Sequence, residues 1–188
     1  MSATNRGVIR NEADFYATPL ETVYSLLDNY DGIKPGDVIL EPSAGNGNII
    51  RALRNRGYNN FIDAVELRED ERENLIGLAN RAGILDFLKD DNLGTYDVII
   101  GNPPYSLAQE FIDKSLTLLK PGGRLIFLLR TNFLESKKRF TWWQDKIPSG
   151  LYVLSKRPSF TGKGTDATSY SWFIWERRED AKQTLKVI

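Results

Sequence analysis

Two rhythms of apolar positions alternate along the chain. Leu20, Val23, Tyr24 and Leu27 recur three and four residues apart, the spacing that lays one face of a helix against a core. Thr18 is placed to cap that helix, with Pro19 at its first position and Glu21 three residues past the cap. Pro35 and Gly36 punctuate a turn, and Val38, Ile39 and Leu40 then form a short continuous apolar run, the pattern of a strand buried on both faces. A glycine-containing turn covers 43–47. Ile49, Ile50 and Leu53 follow as the inner face of a second helix ending near Gly57.

The alternation continues to the end of the chain. Phe61 to Val65 reads as a strand, 69–80 as a charged helix, and Gly83 to Leu88 as a short element of either type. Residues 96–100 form a second buried strand, 106–119 a helix with Phe111, Ile112, Leu116 and Leu119 turned inward, and 124–129 a third buried strand. A charged helix near 137–145, a strand near 151–156, a Gly/Ser/Thr loop over 158–168 and an alternating aromatic strand from Tyr170 to Trp175 complete the pattern. The last two strands are close enough to pair as an antiparallel hairpin. Strand and helix in turn imply an α/β fold, a doubly wound and mostly parallel sheet with helices on both faces. Residues 1–13 are polar and aperiodic, a flexible arm ahead of a single domain over 14–188.

Composition narrows the chemistry. The chain has no cysteine and no histidine, so a thiolate nucleophile, a disulfide framework, a Cys/His zinc site and an imidazole base are all excluded. Its 25 lysines and arginines balance 25 acidic residues, which rules out a uniformly basic coat but allows a basic face opposite an acidic one. No apolar run reaches membrane-spanning length and the N-terminus has no signal-peptide core, so a cytoplasmic chain without membrane contact is expected.

In a doubly wound sheet ligands bind outside the carboxyl ends of the strands, so the residues that follow each strand come first. Glu41-Pro42-Ser43-Ala44-Gly45-Asn46-Gly47 follows the first, its glycines permitting a tight turn and close approach of a ligand to the backbone. Glu66 follows the second, about twenty residues after Gly45, the separation at which a carboxylate accepts hydrogen bonds from ribose hydroxyls; a solvated surface acid is the other reading. Asn102-Pro103-Pro104-Tyr105 follows the strand at 96–100. Its prolines surrender backbone donors and stiffen the chain, leaving the Asn102 side-chain oxygen and the Pro103 carbonyl as a fork of acceptors for one planar amino group. Tyr105 adds an aromatic face suited to stacking on a base taken out of a helix.

Glu41 to Gly47 together with Asn102 to Tyr105 resemble the paired signature motifs of class I S-adenosylmethionine-dependent amino methyltransferases, specifically the adenine-N6 DNA methyltransferases. Asp14 to Pro19 resembles their Tyr-x-Thr-Pro element, and the likeness runs over roughly 14–176. The resemblance implies a seven-stranded Rossmann-like methyltransferase sheet and S-adenosyl-L-methionine as cofactor. It places Glu41, Pro42, Ser43, Gly45 and Gly47 along the methionine part, Glu66 on the ribose, and Asp86 and Phe87 on the cofactor's adenine. Tyr16, Thr18 and Pro19 would close over the methionine end, with Asn102 beside them. It makes Asn102, Pro103, Pro104 and Tyr105 the catalytic set, transferring a methyl group to the N6 amino group of a flipped adenine in DNA by direct in-line displacement, a route that needs neither histidine nor cysteine. Phe160 takes the place of a second aromatic against the base, or else packs locally.

A separate target-recognition region has no room between Asp86 and Asn102. Specificity is therefore expected from loops, the arm, a specificity subunit or a homodimer partner. Lys137, Lys138 and Arg139, with Lys156, Arg157 and Lys163, are the candidate nucleic-acid contacts. Trp142 and Trp143 either join them or pack against the sheet. Cytosine N4, an RNA base, a protein glutamine amide, or a regulatory role of the cofactor-binding fold are the alternatives.

Overall fold

The computed structural model describes residues 17–160, 164, 166–177 and 182–188. The arm at 1–13, Tyr16 and Lys163 lie outside them. Eight strands form one sheet: β1 Val38–Glu41, β2 Phe61–Glu66, β3 Arg81–Ile84, β4 Tyr96–Gly101, β5 Leu119–Arg130, β6 Gly150–Val153, β7 Tyr170–Glu176 and β8 Thr184–Val187. Their order is β3-β2-β1-β4-β5-β7-β6-β8. β1 to β5 are parallel, and β7 runs antiparallel between β5 and β6, so the expected hairpin is present. β8 makes the count eight rather than seven by adding parallel to the outer side of β6.

Burial alternates along the central strands because each inserts side chains into two separate cores. Ile39, Val98, Ile100, Ile126, Leu128, Trp172 and Ile174 face one, against helices α1 (Leu20–Asn29), α2 (Asn48–Asn55) and α3 (Arg72–Leu75). Leu40, Ile99, Leu125, Phe127, Leu129, Phe173 and Trp175 face the other, against α4 (Ala108–Thr117) and α5 (Phe140–Asp145). The Trp172 indole donates to the Thr22 carbonyl at 3.1 Å, tying α1 to β7. Strand order reverses between β1 and β4, which opens a crevice above their carboxyl ends.

Four local expectations are corrected. The N-cap of α1 is Pro19 rather than Thr18, and no side chain caps the helix, because the Thr18 hydroxyl is engaged by Asn102 from β4. Residues 69–80 hold only a single 3-10 turn and the short α3: Gly77, at φ 80°, leaves helical space, and Asn80 turns to accept from the Ile62 amide at 2.9 Å. Leu119 opens β5 instead of closing α4, and β6 stops at Val153. Among the described residues no helix is long and apolar enough to cross a membrane.

Candidate active site

The ends of β1, β2, β3 and β4 converge on one cleft. Its walls carry Glu41, Pro42, Ser43 and Gly45 after β1, Glu66 at the end of β2, Asp86 and Phe87 after β3, and Asn102 and Pro104 after β4. Thr18 closes it from the segment before α1. The turn after β1 is held by two backbone bonds, Ala44 N–H to the Val65 carbonyl at 2.9 Å and Gly47 N–H to the Ala44 carbonyl at 2.8 Å. Gly45 and Gly47 both adopt positive φ, 52° and 76°. A side chain at Gly47 would also run into Leu78, 2.8 Å from an ideal Cβ, so this glycine serves helix packing and does not line the cleft.

Glu66 is buried and links two parts of the site. One carboxylate oxygen accepts from the Gly45 amide at 2.7 Å; the other accepts from the Arg68 amide at 3.0 Å and its Nε at 3.2 Å. Each oxygen has more than one acceptor direction, so the group fixes the turn and still faces the cleft. Glu41 lies deeper, 2 % exposed, and accepts from the Ile50 amide while Oε2 has no partner among the described residues. Ser43 Oγ, in the same wall, is also buried, with no partner among the described residues. Burial first, then the neighbouring Glu66 carboxylate, raises the Glu41 pKa well above the ordinary carboxyl value. That stored cost marks a place for a cationic or hydrogen-bond-donating group.

The sign of the Glu41 effect gives a test. A carboxyl whose folded pKa exceeds its unfolded one stabilises the fold relative to its ionised form at low pH, and that contribution is lost as pH rises above the ordinary carboxylate range. Glu41→Gln should therefore raise the thermal midpoint of the ligand-free protein by an amount that grows from about pH 5 upward. Scanning calorimetry across pH reads this directly; a gain independent of pH would mean that Glu41 is not held neutral by its surroundings.

Towards the far end the cleft becomes apolar. Phe87 is buried against Phe111, ring centroids 4.9 Å apart, and Leu85 and Leu88 complete a slot for a flat ring. Asp86 sits at its mouth, accepting from the Leu88 amide at 3.0 Å and paired with the exposed Lys89 at 3.0 Å, which lowers its pKa. At the opposite end Asn102 Nδ2 donates to Thr18 Oγ1 at 3.1 Å, and Asn48 Nδ2 donates to the Thr18 carbonyl at 2.9 Å. This arrangement fixes the amide of Asn102 through a residue 84 positions away. Asn48 and Arg68 went unread in the sequence, where nothing separates them from ordinary surface residues.

Pro103 is buried behind the cleft, and Pro19 does not line it. Tyr105 stands on the other side of the tetrapeptide. The Arg130 guanidinium lies 5.0 Å from its ring centroid, and its hydroxyl end is fully enclosed, with burial and Tyr170 holding its pKa well above the usual value. A stacked base therefore has only the opposite face of the ring. Phe160 packs edge-on against Tyr170 at 5.1 Å, and Tyr170 in turn lies 5.7 Å from Tyr105, so the three rings form one cluster. Lys137 and Lys138 are exposed; Arg139 packs 4.3 Å over the Phe133 ring and donates to the Phe133 carbonyl. Trp143 is buried in the core and Trp142 donates to Asp113 at 2.9 Å, so both tryptophans are packing residues.

The architecture is the Rossmann-like fold of S-adenosylmethionine-dependent methyltransferases. It superposes on the M protein of the Type I restriction enzyme EcoKI with a TM-score of 0.66, at 19% identity over 92% of this chain and 48% of that one. A S-adenosylmethionine-dependent O-methyltransferase of Thermotoga maritima matches with a TM-score of 0.58, at 22% identity over 92% of this chain and 70% of its own. In sequence the chain is 27% identical over 168 residues to the Type II methyltransferase M.CvrRI of Paramecium bursaria Chlorella virus XZ-6E. That alignment covers 79% of this chain and 44% of the viral protein, so the chain spans less than half the length of the curated relative it matches. No family model matches the chain.

Proposed function

We propose that the chain is a S-adenosylmethionine-dependent methyltransferase acting on the N6 amino group of adenine in DNA. The observation that supports this most is the meeting of Asn102-Pro103-Pro104-Tyr105 with a cleft whose polar groups fit the cofactor in order. Glu41 Oε2 and Ser43 Oγ, buried without partners among the described residues, suit the ammonium end; Glu66 suits the ribose diol; Asp86 beside the Phe87 slot suits the adenine. Thr18 lines the end assigned to the methionine, where the resemblance also puts Tyr16; Pro19 stands outside the cleft.

S-adenosylmethionine supplies an electrophilic methyl group when bound. The residues of the chain hold the acceptor. Asn102 Oδ1 and the Pro103 carbonyl accept from the two N–H bonds of the amino group, which turns its lone pair towards the cleft, and this positioning is the main catalytic contribution. Neutral acceptors and aromatic faces suit a reaction in which positive charge disperses. DNA as acceptor is supported by the likeness to the M protein of a Type I restriction enzyme and by the basic residues after β5, and methyl transfer by the viral Type II methyltransferase. The O-methyltransferase neighbour shows that the fold alone does not choose the acceptor atom. Sequence preference is assigned to loops, to a specificity subunit or to a second copy.

Incubation with methyl-labelled S-adenosylmethionine and unmethylated double-stranded DNA, then digestion to nucleosides and mass spectrometry, tests the reading. Labelled N6-methyldeoxyadenosine is the expected product. Label on cytosine N4, or in RNA or protein supplied in parallel, would replace adenine as the acceptor.

A further inference from the structure

Ion pairing is unevenly distributed over the molecule. Among the described residues every salt bridge joins partners between Asp28 and Arg124, and no described lysine or arginine beyond Arg124 makes one. Topology then gathers several of these cations that make no salt bridge. β5 and β6 point the same way, with Arg130 opposite Tyr170 and Val153 opposite Ser171 on the shared neighbour β7. Arg130, the 137–139 cluster and Lys156–Arg157 therefore all follow strand ends on the edge that carries Asn102 to Tyr105. Several described cations that make no salt bridge thus stand at the acceptor end of the sheet.

Within that side lies a second cleft, across Tyr105 from the first, lined by Tyr105, Arg130, Asn132, Phe133 and Arg139, with the exposed Glu135 carboxylate at its rim. Both guanidiniums are held in place by neutral groups. Arg130 lies over the Tyr105 ring and donates through Nε to the Tyr170 hydroxyl at 3.3 Å, which itself donates to Asp166 at 2.9 Å. Arg139 lies over Phe133 and spends Nε and one Nη2 donor on the Phe133 carbonyl. The remaining N–H groups of Arg130 have no acceptor among the described residues. Two oriented forks that make no direct ion pair, beside an aromatic ring, are the chemistry that receives an oxyanion in bidentate fashion.

We propose that this cleft is a phosphate site for the acceptor strand. Arg130, assisted by Arg139, binds a backbone phosphodiester next to the acceptor nucleotide and so sets the position of that nucleotide over Asn102 and Tyr105. This rests on the reading of DNA as acceptor, and it assigns to Arg130 a role that its place at the end of an apolar strand does not announce.

The test measures binding of unmethylated double-stranded DNA against salt concentration for the wild type, Arg130→Gln and Arg130→Lys, with S-adenosylmethionine binding as a control. Arg130→Gln should bind DNA roughly tenfold more weakly at low salt. Its slope of log affinity against log salt should fall by about one phosphate contact. Arg130→Lys should keep the slope while losing part of the affinity, and cofactor affinity should be the same in all three. An unchanged slope in Arg130→Gln, even with slower transfer, would overturn the proposal and make Arg130 a prop for Tyr105. A wild type that binds no DNA but transfers label to protein would overturn the acceptor reading and this site with it.

Discussion

Asn102→Ala should lower the rate of methyl transfer by on the order of a hundred- to a thousandfold, with a much smaller change in cofactor affinity. The expectation follows from where the side chain sits. Asn102 follows β4 at the rim of the cleft, and its amide is oriented by the Thr18 hydroxyl rather than by a neighbour in sequence. Donation of Nδ2 to Thr18 orients the amide whose oxygen the proposed mechanism uses, so truncation removes the proposed acceptor and its support together. Loss of the Thr18 bond should cost only about 1 kcal/mol of stability, which a thermal midpoint separates from the kinetic effect. Single-turnover transfer with calorimetric titration of S-adenosylmethionine makes the distinction, and turnover retained in a folded, cofactor-binding variant would sink the amino-group fork.

Thr18 also shows where sequence reasoning stops. A threonine before proline and an amphipathic run has the local chemistry of an N-cap, yet a contact from 84 residues away takes its hydroxyl. The buried strands β1, β4, β5 and β7 were legible because both of their faces are apolar, a pattern few other elements share. β8 escaped because all four of its residues are exposed at the edge of the sheet, where no periodic burial marks a strand. The helix expected over 69–80 failed for a different reason: charged i,i+3 pairs such as Glu69 with Arg72 support one turn, and Gly77 ends it. At the site, the residues at the ends of β1, β2 and β4 were readable from the strand-end rule, whereas Arg130 obeys the same rule and was masked by the absence of any motif around it.

Glu66 offers the second large effect, and one that separates two roles. Its carboxylate already accepts from Gly45 and Arg68, so it supports the turn after β1 whether or not a ligand is bound. If it also holds the ribose hydroxyls, Glu66→Ala forfeits charged hydrogen bonds to the cofactor. Affinity for S-adenosylmethionine should then fall on the order of a hundredfold. Weakened binding alone would not tell the roles apart, because a slackened turn lowers affinity too. The 2′-deoxy analogue of the cofactor does: a site built to bond a hydroxyl discriminates against the analogue that lacks it, since its own acceptor is left unpaired. The wild type should prefer S-adenosylmethionine clearly over the analogue, and in Glu66→Ala that preference should collapse towards unity. A variant that binds both more weakly but keeps the preference would show that Glu66 only braces the turn, and that the hydroxyls are held by another group in the cleft.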